Sequence, residues 1–550
     1  MFCKQKYCGI ILSITIPLLM SCSTKQNVDL IIQNAKIYSV DSESSVYQSM
    51  AVSQGKVVAL GDNETIVNTY KSKEIIDLDG KPIYPGFIDP HCHFLGYGLG
   101  LRTAWLGGAK SWDEAVERLV DHQKSYPTEW VLGRGWNQNE WAVKEFPTKD
   151  LLDRAFPNNP VLLTRVDGHA AIANTKALEL AGFNADTLIA GGEIIKANGK
   201  LTGVLVDNAI NLVRDLVPAD TREDKELALD NAQKNCFAVG LTSVSDAGTD
   251  LADALLFDEL QKSGLLKMKI NVMLHPTEEN YKHFLDKGIF TTPQLTVRTV
   301  KLFADGALGS RGALLIEPYT DAPKTKGLQL ETTEKLTDVC QKAYDSGYQV
   351  AVHCIGDAAA RLMIDIFEKN LKPGNDLRWR IEHAQTIHPN DLPRFGQLAI
   401  VPSVQTTHAT SDMIWAVDRL GKRIEYAYTY QDLLQQNGWL PNGSDFPIEH
   451  INPIYGFYAA VARQNMDGYP AEGFQMENAL TREQALRAMT IWAAKAAFEE
   501  NFKGSLEPGK VADFVVLEKD LMTAPNDQLS SIRVQQTFVD GKLVFSEQNQ

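Results

Sequence analysis

The chain has 550 residues, 44% of them hydrophobic, and a formal net charge of −15 from 69 acids and 54 bases. That length far exceeds one small core and fits one large domain with appendages or two to four domains. The charges are spread without long runs of one sign, which argues against a nucleic-acid footprint and by itself implies no partner.

Residues 1 to 21 read as an export signal. Lys4 and Lys6 precede an apolar run from Cys8 to Met20, the length of a secretory core segment and too short to span a membrane comfortably. The run ends Leu-Met-Ser-Cys, residues 19 to 22, which resembles the lipobox of bacterial lipoproteins. Cleavage before Cys22 would leave that cysteine lipidated at the mature N-terminus, with residues 22 to 27 as a short tether. The expected location is therefore outside the cytoplasm, on the periplasmic or cell-surface side, with a lipid anchor as the sole membrane contact. Of the remaining cysteines, Cys92, Cys236, Cys340 and Cys354 are expected as free buried thiols.

From residue 28 to 82, DLIIQNAKIYSV, SMAVSQGKVVALG and KEIIDLDGKPIY alternate apolar and polar positions between turn residues. The same texture returns after residue 503 in KVADFVVLEKD and QQTFVDGKLVFSE, with Asp540-Gly541 placed for a two-residue hairpin turn. A small β-sandwich domain built from both chain ends, residues 28–82 plus 504–546, is expected around a barrel of residues 83–503. Within the barrel, short apolar runs predict eight strands: PIYPGFIDPHCH, GLTSVSDAG, MKINVMLHP, VRTVKLFADG, GYQVAVHCIG, LRWRIEHAQ, LAIVPSVQTT and GWLPNGSDFP. Helical periodicity fills most gaps, as in LADALLFDELQKSG, TTEKLTDVCQKAYDSG and DAAARLMIDIFEKN. The alternation predicts an α/β fold, a (β/α)8 TIM barrel. Residues 99 to 239, about 140 of them, are too many for one crossover and predict an inserted α/β subdomain. That insert is rich in tryptophan and carries His169 after Asp167-Gly168.

In HCH, residues 91 to 93, strand alternation puts His91 and His93 on one side and Cys92 on the other, so both imidazoles could hold one ion. Lys301, His353, His383 and Asp445 fall near the C-terminal ends of the fourth, fifth, sixth and eighth predicted strands, the rim where such a barrel carries its active site. These residues are costly in apolar runs unless paired, and a metal centre pairs them. Four histidines and a carboxylate suit zinc or a similar divalent ion, with manganese, iron and nickel admitted by ligand type. Lys301 is the oddity, because an ammonium cannot ligate a cation.

That order of residues, with a β-domain from both ends, resembles the amidohydrolase superfamily of metal-dependent hydrolases. VKLFADGALGSRGA (300 to 313), GRGWNQNEW, RVDGHAAIANTKAL and GSLEPGKVADFVVL (504 to 517) are similar to its family 3 branch, which includes N-substituted formamide deformylases. The resemblance runs from about residue 28 to 546. It implies that His91 and His93 bind one ion with Asp445, that His353 and His383 bind another, and that a carboxylated Lys301 links them. Some relatives work with a single ion. A metal-held hydroxide would attack a carbonyl, with Asp445 shuttling its proton to the departing nitrogen and His169 assisting the oxyanion or orienting the substrate.

The expected function is hydrolysis of a C–N bond, an amide or an N-acyl or N-formyl group, in a small molecule. Hydrolysis of another ester, a lactone or a phosphoester on the same site is the alternative within enzymes. A non-catalytic exported binding protein is the alternative outside them, against which the complete set with Asp445 speaks. Arg311, with Gly309-Ser310, could read a substrate carboxylate but reads more readily as a structural loop arginine; His275 reads as structural and His388 carries no inference. Trp136, Trp141 and Trp415 are weaker candidates for lining an apolar pocket, and His408 and Asp412 for contacting substrate. A homo-oligomer is left open.

Overall fold

The structure is a computed structural model that describes residues 1–2, 25–184 and 186–547. The leader and Cys22 lie outside the described residues. Among the described residues, no helix is long and apolar enough to cross a membrane.

Seven parallel strands, β1 (Phe87–Cys92), β2 (Leu241–Thr249), β3 (Lys269–Leu274), β4 (Leu295–Phe303), β5 (Gln349–Cys354), β6 (Arg380–His383) and β7 (Val401–Ser403), lie side by side in chain order. β1, β3, β5 and β6 are buried at every position, as strands covered on both faces must be. The eighth segment closes the barrel without becoming a regular strand. Asn442 bridges Val404, and the Gly443 N–H donates to the Val404 carbonyl at 2.9 Å. On its other side, Asp445 N–H donates to His91 O and His93 N–H to Phe446 O, both at 2.8 Å. Pro441 lacks an N–H and Asp445 sits at φ 61°, so no longer ladder forms there.

The predicted first strand is two strands in two sheets. Pro82–Pro85 pairs antiparallel with Phe514–Leu517 in the terminal domain, and β1 starts one residue later, after Gly86. A Cβ on Gly86 would lie 2.3 Å from Thr242 Oγ1, so glycine is what lets the chain cross between sheets at this spot. The terminal domain has a four-stranded and a six-stranded sheet around Leu30, Ile32, Ile37, Phe514 and Phe538. Asp540 and Gly541 take positive φ between Val534–Val539 and Lys542–Ser546, the two-residue hairpin turn. Gln26–Asn27, expected as tether, pairs with Tyr70–Lys71, because backbone bonds on that edge capture the chain two residues early.

The insert has its own six-stranded sheet, from Ala104–Trp105 to Lys200–Asp207. It is narrower than expected. Helix Arg222–Ala238 buries Ala228, Leu229, Ala232, Cys236 and Phe237 in the main core with Phe94 and Leu241, so it belongs to the barrel. All four described cysteines are free and buried.

Candidate active site

Every site residue expected from the sequence and described here, namely His91, His93, His169, Lys301, His353, His383 and Asp445, lines one cavity of about 180 Å³. Alternation at the end of β1 sends both imidazoles toward Asp445, whose Oδ1 is 3.5 Å from His91 Nε2 and 3.3 Å from His93 Nε2. Cys92 turns into the apolar core, its thiol 3.4 Å from Ser245 O. Ligand atoms of His91, His383 and Asp445 lie within 4.8 Å of one another. His383 and Asp445 both have left-handed backbones, φ 71° and 61°, a cost of order 1–3 kcal/mol each that functional sites tend to carry. Lys301, from β4, is fully buried with Nζ 3.3 Å from His91 Nε2. His353, from β5, meets the ring of His383 edge-on at 4.4 Å between centroids, and its Nε2 is 3.3 Å from Gly306 O.

The far side of the rings is braced. His91 Nδ1 meets Glu382 Oε2 at 2.5 Å, and Arg380 Nε sits 2.6 Å from Glu382 Oε1. Arg380 also donates to Pro90 O and Ser403 Oγ. His383 Nδ1 meets Gln405 Oε1 at 2.7 Å. A ring pinned through Nδ1 keeps Nε2 as its electron-pair donor, the usual support for a metal-ligating histidine. Asp89 accepts from the N–H of His91 and from the N–H and hydroxyl of Ser444, tying β1 to the closing segment. Sequence reading passed over Glu382, Arg380, Gln405 and Asp89. The signal for two of them was present: Arg380 and Glu382 stand two apart inside the apolar run LRWRIEHAQ, the same pattern that drew attention to HCH.

Protonation favours a cation. Burial pushes His91 down to about 4 and His353 and His383 well below the usual imidazole range, and it lowers Lys301 to about 8. Burial alone would raise Asp445, but His93, His91 and His383 around it hold its carboxyl well below the usual range. Neutral imidazoles and an ionised carboxylate are the states metal binding requires. Asp445 Oδ1 and His408 Nε2 are buried and make no well-aligned hydrogen bond, even though His93 Nε2 stands 3.3 Å from the former, so the polar set is incompletely satisfied by protein alone. A divalent ion coordinated by imidazole nitrogen and carboxylate oxygen fits these residues.

The insert reaches the same cavity. His169 Nδ1 is 2.6 Å from Asp207 Oδ1, and its ring lies 4.8 Å from that of His353. Burial works against its charge, but the hydrogen bond and charge of Asp207 win and raise it above the usual value. The GALGSRG loop after β4 is the seat for this contact. A Cβ on Gly306 or Gly312 would lie 2.4 or 2.5 Å from Asp207 Oδ2, and one on Gly309 3.2 Å from the Arg165 guanidinium. Arg311 pairs with Asp321 at 2.8 Å, a structural role. Trp136 and Trp141 pack inside the insert, whereas Trp415, His408 and Asp412 line the cavity. His275 lies outside this cavity and lines an adjoining one.

The sequence model described as "Amidohydrolase family" matches residues 74–545. The Arabidopsis thaliana protein LONG AFTER FAR-RED 3 is 35% identical over 94% of this chain and 91% of its own. The N-substituted formamide deformylase of Arthrobacter pascens is 29% identical over 94% of this chain and 98% of its own. Among solved structures, an uncharacterized metal-dependent hydrolase from Pyrococcus horikoshii superposes with a TM-score of 0.73 at 30% identity, covering 90% of this chain and 99% of that one.

Proposed function

The chain belongs to the amidohydrolase family, and from that premise we propose that it is a metal-dependent hydrolase cleaving a C–N bond, an amide or an N-acyl or N-formyl group, in a small molecule. One observation carries this reading: donor atoms of His91, His383 and Asp445 converge within 4.8 Å, and one of them, Asp445 Oδ1, is buried without a well-aligned hydrogen bond. The deformylase name of the Arthrobacter pascens relative supports the choice of bond. His91 and His93 with Asp445 would hold one divalent ion, zinc or similar, and His353 with His383 a second. When bound, such an ion polarises a carbonyl and makes water a stronger acid.

The chain's own groups supply the rest. Lys301 would serve as a carbamate between the two halves: burial lowers its amine to about 8, and addition of carbon dioxide to the neutral amine would form the N–C bond with release of a proton. Asp445 takes the proton of the attacking water and passes it to the departing nitrogen. His169, whose protonated form Asp207 favours and which faces the cavity, would donate a hydrogen bond to the carbonyl oxygen as negative charge develops there. Glu382 and Gln405 keep the His91 and His383 rings oriented.

The test is a hydrolysis screen of N-formyl and N-acyl compounds with the metal-loaded protein and its Asp445→Asn variant. Turnover that falls at least ~100-fold in the variant is expected; unchanged hydrolysis would contradict the mechanism. The leader and the Leu-Met-Ser-Cys run support a further proposal, that the enzyme is exported and lipid-anchored through Cys22 to a bacterial membrane.

A further inference from the structure

A larger cavity of about 770 Å³ opens from the first, sharing His93, Asp167, His169, Lys301, Phe303 and Ile448 with it. One wall is a face of the insert's sheet. Leu132 and Arg134, two apart on strand Val131–Trp136, line it with their cross-strand partners Leu162 and Thr164. Arg134 stands between two glycines. A Cβ on Gly133 would lie 3.1 Å from Ala104 O, and one on Gly135, at φ +100°, 3.0 Å from Gly107 N. The strand is thus pressed against its neighbour on one side while the arginine projects on the other.

Charge balance in this cavity is uneven. Three carboxylates line it, and each has its own basic partner: Asp167 with Arg165 at 2.5 Å, Asp207 with His169 at 2.6 Å, and Glu331 with Lys335 at 2.6 Å. Among the described residues, neither Arg134 nor Arg214 has a carboxylate at ion-pair distance; Asp445 and Asp215 act on them only from farther away. Among the described residues, the side chain of half-buried Arg134 makes one hydrogen bond, from Nη2 to Pro447 O at 3.5 Å, and its Nε is buried with no partner. Exposed Arg214, at the cavity's edge, bonds Asn211 Oδ1 at 3.4 Å. Burial pulls Arg134 down to about 10; the charge of Asp445 works against this, and Arg214 adds repulsion. Two unpaired guanidinium groups beside a cavity are unfavourable unless an anion joins them.

We propose that Arg134 and Arg214 form a carboxylate subsite, so that the substrate class is an N-acyl or N-formyl compound bearing a carboxylate and an apolar side chain. This rests on the hydrolase reading above. A guanidinium fork matches a carboxylate through parallel N–H bonds. Leu132, Leu162 and Val217 give the apolar wall beside it.

Binding and turnover are measured separately. Calorimetry on the metal-loaded protein compares 4-methylpentanoate with 4-methylpentanol, neither of which has a bond for the site to cut. Turnover compares N-formylleucine with N-formylleucinamide. The carboxylate should bind roughly tenfold to a hundredfold tighter than the alcohol. Arg134→Gln should remove that preference while leaving alcohol binding unchanged, which also reports an intact fold. Arg214→Gln, at an exposed position, should reduce it in part. No preference for the carboxylate, including no binding of either probe, or a preference that survives both substitutions, would overturn the subsite. Inorganic phosphate binding more tightly than 4-methylpentanoate would overturn the carboxylate assignment. Preferential binding without turnover of either formyl compound would leave the subsite standing and sink the C–N reading; turnover of both without preference would do the reverse.

Discussion

His91 is 1% exposed and has a carboxylate near each ring nitrogen, Glu382 at Nδ1 and Asp445 at Nε2, yet burial and Lys301 drive it down to about 4. Its ordinary value is about 6.5. Between those two values the unfolded chain binds a proton that the native chain does not, so the stability His91 contributes is lost as pH falls through that window. Burial pushes Asp89 and Asp305 the other way, up to about 7, and they mask the effect in the whole protein. Comparing metal-stripped wild type with His91→Gln in urea isolates it. The stability of wild type relative to the variant should drop by about 2 kcal/mol from pH 7.5 to 5, and a pH-independent difference would count against a neutral, buried His91. Histidines of this kind were legible because a polar residue in an apolar strand demands a partner. Asp207 and Arg134 were not, since their importance comes from where the insert docks, and no local pattern records that.

At the scale of elements, the closing segment matters most. Gly443 packs so tightly that a Cβ would lie 2.6 Å from Asp89 Oδ1 and 3.0 Å from His91 N. Asp89 in turn holds Ser444, and Asp445 follows. Gly443→Ala should therefore lower stability by about 1–3 kcal/mol, as overpacking does, and depress turnover and metal content together by shifting Asp445. Urea unfolding and elemental analysis of that variant check this; wild-type stability with full metal content would show that the contact yields freely. Seven barrel strands, three long helices and the Asp540-Gly541 hairpin were readable from periodicity and turn chemistry. Two features were not. The break at Gly86 depends on Thr242, far away in sequence, and helix Arg222–Ala238 carries a pattern that does not say which core it joins.

Across the whole molecule, the first and last strands form one terminal domain, the barrel supplies His91, His93, Lys301, His353, His383 and Asp445, and the insert brings His169 and Arg134 to the mouth. The proposed lipid anchor at Cys22 predicts that the expressed chain fractionates with membranes and that Cys22→Ala moves the activity to the soluble fraction; a variant still bound to membranes would contradict lipid anchoring. The central claim is that these barrel residues hold a metal that the hydrolysis requires. Metal content per chain, measured by elemental analysis alongside hydrolysis of an N-formyl substrate, tests it most directly, in wild type, chelator-treated and re-metallated protein and in His91→Ala. One or two divalent ions per chain, activity lost on chelation and restored on re-metallation, and an ion lost in His91→Ala are the predicted results. Hydrolysis that persists in metal-stripped protein, or His91→Ala with undiminished metal, would contradict it.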